Sequence, residues 1–167
     1  MKILITGPCG SGKTTIIEEM KKLGYIITPE YARILWMKGL RDEEFESTLL
    51  KKRIEGWNSA KTNKIVFFDR GFVDLITCRK FDKKPILKKF IQAVKKYRFD
   101  KVFVLESLDN YKTDGVREHF IKNHKEAQKW LQIMLKTCKE YNYIPFLVKK
   151  DSIKNRINFI LEKIKNS

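Results

Sequence analysis

Gly7-Pro8-Cys9-Gly10-Ser11-Gly12-Lys13-Thr14 reads G-x-x-x-x-G-K-T, the complete spacing of a loop that wraps a phosphate. Ahead of it stands the apolar run Ile3-Leu4-Ile5, the length of a buried strand. Behind it, residues 15–23 carry their apolar side chains at helical spacing. Strand, loop and helix are the context in which this motif works. Gly7, Gly10 and Gly12 free the backbone to turn its N–H groups inward, and the helix that follows adds the positive end of its dipole. Lys13 then reaches the β- and γ-phosphates of a nucleotide, and the Thr14 hydroxyl is placed for Mg²⁺. Pro8, Cys9, Ser11 and Thr15 complete the phosphate-binding stretch. The expected nucleotide is ATP, with GTP second, because the guanine-reading Asn-Lys-x-Asp is absent and Lys61-Thr62-Asn63-Lys64 does not supply it. A glycine-rich turn that holds no nucleotide is the plainer alternative, and the flanking strand and helix argue against it.

Outward from the loop, strands alternate with helices. Gly24 stops the first helix, and residues 25–28 form a second strand. Pro29 opens a helix over residues 30–37, and Asp42 or a neighbour caps a longer one over 43–60, with Phe45, Leu49, Ile54 and Trp57 on its apolar side. Residues 64–69 and 101–106 are solid apolar runs of the kind buried on both faces of a parallel sheet. Between them helices are expected over 72–79 and from Pro85 to 97. A further helix is expected over 118–141, then a strand over 144–148 with Pro145 suited to a sheet edge, and a closing helix capped by Asp151 or Ser152. The pattern predicts an α/β fold, a doubly wound parallel sheet of five strands in the P-loop NTPase, nucleotide-kinase-like class. One domain over residues 1–167 accounts for the length, with a lid at 107–118 where periodicity lapses around Asp109-Asn110 and Asp114-Gly115.

The chain has 167 residues, of which 43% are hydrophobic, which excludes a disordered protein. No apolar run is long enough to span a bilayer and no signal peptide precedes the first strand, so a cytoplasmic location is expected. Cys9, Cys78 and Cys138 are scattered, with neither zinc spacing nor a disulfide framework. Lys plus Arg number 36 against 20 Asp plus Glu, a net charge of +16 that suits polyanions: a nucleotide, a nucleic acid or an acidic lipid. The lysine pairs are spread along the chain, as on ordinary solvated helix faces, and define no dedicated nucleic-acid surface.

Ligands of such sheets bind at the strands' carboxyl ends, where Gly7, Glu30, Asp69 and Glu106 all fall. Asp69 and Glu106 each end an apolar strand, the place of a magnesium-side carboxylate; Asp69 is favoured because Arg70 beside it offers a phosphate or substrate contact. An Asp-stabilised turn with a surface arginine is the plain reading of Asp69-Arg70-Gly71. Glu30 and Arg33 lie three apart at a helix start, where a carboxylate can take a proton from an attacking hydroxyl and an arginine can fix an anion; a dipole-favoured Glu and a surface Arg explain them equally well. Tyr111, Asp114 and Arg117 fall in the expected lid, where an arginine can swing onto a transferring phosphoryl group or simply be solvated. His119 and His124 lack any metal-ligand pattern.

The phosphate loop to Thr15, Pro29-Glu30-Tyr31-Ala32-Arg33, Phe68-Asp69-Arg70-Gly71 and Tyr111-Lys112-Thr113-Asp114-Gly115-Val116-Arg117 occur in the order found in a group of small predicted ATPases. Over nearly its whole length the chain resembles these proteins, which are similar to the ribosylnicotinamide kinase domain of bifunctional NAD-biosynthesis regulators. The resemblance implies Lys13 and Thr14 on phosphate and Mg²⁺, and Asp69 on the metal or the substrate hydroxyl. Glu30, Arg33 and Arg70 would line the acceptor pocket, and Arg117 would be the lid arginine. It raises Glu30 as base, since related nucleoside kinases use a carboxylate after their second strand. The implied activity is phosphoryl transfer to a small hydroxyl acceptor, a nucleoside above all, by Lys13, Mg²⁺ and Arg117 with Glu30 or Asp69 as base. A nucleotide switch that binds a partner or acidic lipid and a polynucleotide 5′-hydroxyl kinase are the rival readings.

Overall fold

The computed structural model describes residues 1–60, 63–109 and 121–165. Among them, five strands form one sheet: β1 (Lys2–Thr6), β2 (Ile26–Thr28), β3 (Val66–Asp69), β4 (Lys101–Leu105) and β5 (Phe146–Val148). Their order is β2-β3-β1-β4-β5, and every pairing is parallel. Parallel neighbours require long crossovers. These carry α1 (Lys13–Lys22), α2 (Tyr31–Met37), α3 (Asp42–Ser59), α4 (Phe72–Phe81), α5 (Lys88–Lys96) and α6 (His124–Glu140), and α7 (Ile153–Lys165) follows β5. The expected doubly wound sheet is the one observed.

Alternation along each strand sends neighbouring side chains to opposite faces, and both faces are covered. Ile3, Ile5, Phe67 and Phe103 pack against Ile16 and Met20 of α1 and Ile160 of α7. Leu4, Phe68, Val102 and Val104 meet Phe72 and Ile76 of α4, Phe90 of α5 and Met134 of α6 on the other side. Burying each phenylalanine contributes about 1.5–3 kcal/mol, which explains why these runs are apolar throughout instead of alternating. β1 lies in the middle, so the loop leaving its carboxyl end opens between β3 and β4.

Several element boundaries move from their expected places, each for a local reason. The helix after Pro29 starts at Tyr31, which leaves Glu30 at its N-cap with φ −73° and ψ 78°. Arg41, not Asp42, is the N-cap of α3 and makes no side-chain cap; Asp42, Glu43 and Glu44 instead place negative charge in the first turn. Pro85 does not open α5, which begins at Lys88, because the Pro85 carbonyl accepts a hydrogen bond from Arg79 Nε (2.5 Å) outside any helix. α6 starts at His124, while residues 118–120 of the expected helix lie outside the described residues: the Asn123 side chain accepts from the Glu126 N–H (2.9 Å) and the Glu126 carboxylate accepts from the Lys122 N–H (2.7 Å). β5 begins at Phe146, with Ile144 left 89% exposed beyond the sheet edge. Ser152 provides the expected cap of α7, its hydroxyl accepting from the Asn155 N–H (3.2 Å).

Candidate active site

The loop between β1 and α1 has its carbonyl groups turned outward and held there. Gly7 O accepts from Arg70 Nη1 (3.1 Å), Gly10 O from the Leu108 N–H (3.0 Å), Ser11 O from Arg156 Nη1 (2.8 Å) and Gly12 O from the Ile16 N–H (3.2 Å). The N–H groups of Ser11 and Gly12 make no hydrogen bond among the described residues. Glycine is required at Gly12, whose φ of 71° is left-handed. At Gly7 a Cβ would come within 2.8 Å of the Leu105 carbonyl oxygen.

Five charged side chains meet beside this loop. Lys13, 4% exposed, hydrogen-bonds Asp69 and stands 3.9 Å from the Glu30 carboxylate. Glu30 in turn lies 3.6 Å from Arg70 Nε, and Arg70 Nη1 lies 3.2 Å from Asp74. Burial opposes the Arg70 charge, yet the Asp74 and Glu30 carboxylates outweigh it and hold the guanidinium protonated, above its ordinary value. The Asp69-Arg70-Gly71 turn is tightly built. Arg70 is held at φ 68°, a strained region for a side chain of its size, while a Cβ on Gly71 would meet Phe99 at 2.7 Å and Leu4 at 2.9 Å. Asp74 closes the turn by accepting from the Gly71 N–H (2.8 Å) and the Thr6 hydroxyl (2.5 Å), and buried Arg53 donates to the Gly71 carbonyl (2.6 Å). Burial pushes the Arg53 guanidinium below its ordinary value, against the pull of Asp74.

A cavity of about 570 Å³ opens from this cluster. Pro8, Cys9, Glu30, Arg33 and Arg70 line its inner end, and Trp36, Phe45, Leu75 and Trp130 supply apolar wall. Along α4 it runs past Asp74 to Arg79, a rise of about 7.5 Å for five helical residues. There Arg79 Nη1 pairs with Glu46 Oε2 across 2.5 Å, a donor and an acceptor side by side on the wall. The volume suits a molecule of nucleoside size.

The structure thus brings Lys13, Glu30, Asp69 and Arg70 together, with Arg33 on the same cavity. Thr14 and Thr15 are exposed at the start of α1. Glu106 goes elsewhere: its carboxylate accepts from the Lys150 N–H (2.9 Å), towards β5. Tyr111, Asp114, Arg117 and His119 lie outside the described residues, as does most of the expected lid. Asp74, Arg53, Arg156 and the Glu46–Arg79 pair escape a reading of the sequence, because each sits in a helix as one charge among many. For Mg²⁺, the Thr14 hydroxyl and the Asp69 carboxylate are hard oxygen donors beside a phosphate loop, which fits an ion that keeps waters and phosphate oxygens as its remaining ligands. Among the described residues no cluster of three or more His, Cys, Asp or Glu forms a separate metal cage, and no helix is long and apolar enough to cross a membrane.

Comparison with known proteins places this geometry in context. A family model described as an AAA domain matches residues 2–156. No curated protein matches the chain. Among solved structures, deoxyadenosine kinase from M. mycoides with products dCMP and dCDP bound is similar over 100% of both chains, at TM-score 0.72 and 23% identity. Thymidylate kinase from Ehrlichia chaffeensis matches over 98% of both chains, at 0.70 and 15%. The NadR protein in complex with NR matches over 96% of this chain and 50% of its own, at 0.72 and 17%. At these identities the likeness establishes a shared fold, the P-loop fold of these kinases.

Proposed function

The chain belongs to the AAA domain family, and on that premise we propose that it is a P-loop phosphotransferase in which Mg·ATP, or Mg·GTP, phosphorylates a hydroxyl of a nucleoside. One observation carries the reading: Glu30 touches both machines, 3.9 Å from the phosphate-loop lysine and on the wall of the cavity. A hydroxyl at the inner end of that cavity faces the donor phosphates with a carboxylate beside it.

Glu30 accepts the proton as the hydroxyl oxygen bonds to the γ-phosphorus and the bond to the β-phosphate oxygen breaks. Lys13 follows the charge onto the phosphate oxygens, and Arg70, beside the Glu30 carboxylate, orients it. Mg²⁺ held by Thr14 and Asp69 would neutralise the β- and γ-phosphates. Arg33 contacts the acceptor, and Arg117, outside the described residues, serves as the lid arginine. The base lies between the aromatic walls, its polar edge on the acceptor and donor offered by Glu46 and Arg79. Similarity in fold to deoxyadenosine kinase and to NadR in complex with NR supports an acceptor of this class.

The test is nucleoside diphosphate release with Mg·ATP or Mg·GTP, alone and with a panel of nucleosides, nicotinamide riboside and a 5′-hydroxyl oligonucleotide. One nucleoside should stimulate strongly and appear phosphorylated by mass spectrometry. Lys13→Ala should abolish turnover, and Glu30→Gln should lower kcat by about 10²–10⁴ with little change in acceptor KM. Slow release indifferent to every acceptor would replace this reading with a nucleotide switch.

A further inference from the structure

Arg156 of α7 is 3% exposed and 145 positions from the residue it serves. Among the described residues its guanidinium is bonded to no carboxylate. Nη1 donates to Ser11 O (2.8 Å), Nη2 donates to Glu106 O (3.4 Å), and Nε is buried without a partner. Burial pulls the group below its ordinary value, opposed by the more distant Glu106 and Asp151 carboxylates. A buried cation resting on carbonyls is an expensive arrangement, which an apolar side chain of similar volume would avoid. Packing alone does not explain it.

Peptide planarity does. The carbonyl of Ser11 and the N–H of Gly12 belong to one trans peptide and point in opposite directions. Holding Ser11 O on Arg156 therefore aims the Gly12 N–H away from α7, to the side where a phosphate is cradled. Gly12 also leaves room for the contact, since a Cβ there would stand 3.2 Å from Arg156 Nη1. Leu108 acts in the same way one peptide earlier, its N–H on Gly10 O setting the Ser11 N–H. We propose that Arg156 is a positioning residue for the donor nucleotide: from behind the loop it fixes the direction of the Gly12 N–H, and so sets the affinity for a nucleoside di- or triphosphate without touching it. This rests on the donor-site reading given above.

The test compares wild type, Arg156→Met and Arg156→Lys for the Kd of Mg·ATP, the KM of the acceptor nucleoside and Tm. Methionine fills the space without donating; lysine keeps the charge but cannot bridge two carbonyls. Arg156→Met should weaken Mg·ATP by about tenfold or more, as expected for loss of a charged hydrogen bond, with the acceptor KM unchanged and Arg156→Lys intermediate. Donor affinity within about twofold of wild type would overturn the role, and so would donor and acceptor weakening in parallel with a fall in Tm. Should Arg156→Met fail to fold, Arg156→Lys decides by the same two constants. Wild type that binds no nucleotide would remove the function itself, a result distinct from variants that bind as tightly as a nucleotide-binding parent.

Discussion

Cys78 projects from α4 onto the cavity wall and is accessible from it, while the protein packed around it pushes the thiol up to about 11 against the opposing pull of Arg70. Deprotonation is disfavoured, so reactivity should rise with pH through about 11 and stay low at neutrality. At pH 8 iodoacetamide should therefore label Cys78 several-fold more slowly than an ordinary thiol. Mass spectrometry of labelled peptides over pH 7–10 reads this directly; rapid labelling at pH 8 would show that the cavity wall is open to bulk water. Residues that stand in a motif could be singled out in the sequence, and the structure puts Lys13 against Asp69, with Asp74 closing the turn that follows. Glu30 and Arg33 carried two readings until the fold put both on one cavity. Arg156 and the Glu46–Arg79 pair were not legible, because their meaning lies in partners 145 and 33 positions away.

At the scale of elements, α2 is a short helix that brings Arg33 and Trp36 to the cavity. It is seated on α3 through Tyr31, whose ring lies over Gly56: a Cβ on Gly56 would come within 2.6 Å of the Tyr31 hydroxyl. Gly56→Ala sets two effects against each other. Alanine favours the α3 helix by about 0.5–1 kcal/mol, while the tyrosine ring must move aside and take α2 with it. Stability should change by less than about 1 kcal/mol, whereas the acceptor KM should rise severalfold with the donor KM unaltered. Steady-state kinetics beside thermal melts would decide, and an unchanged acceptor KM would detach α2 from substrate binding. Periodicity located every helix described here. It misplaced the starts of α5 and α6 because those are set by side chains that bond backbone outside the helix, Arg79 to the Pro85 carbonyl and Glu126 to the Lys122 N–H.

For the whole molecule, the net charge of +16 poses a choice between a polyanion and a small enclosed acceptor. A protein that neutralises six to ten phosphates loses about 10³–10⁵ in affinity between 50 and 200 mM salt. A neutral nucleoside entering the cavity should show less than about a twofold change in acceptor KM over the same range, at saturating Mg·ATP. A steep fall would assign the charge to nucleic acid. The sheet order could be inferred only as a class, since alternating strands and helices do not say that β1 lies between β3 and β4. That order also governs how the chain is made. A ribosome adding about 5–20 residues per second needs roughly 7–30 s to travel from Ser11 to Arg156. Throughout that interval the loop has left the peptidyl-transferase centre while its last anchor is still unmade. The Arg156–Ser11 contact therefore forms only once α7, the last helix of the described residues, has been synthesised.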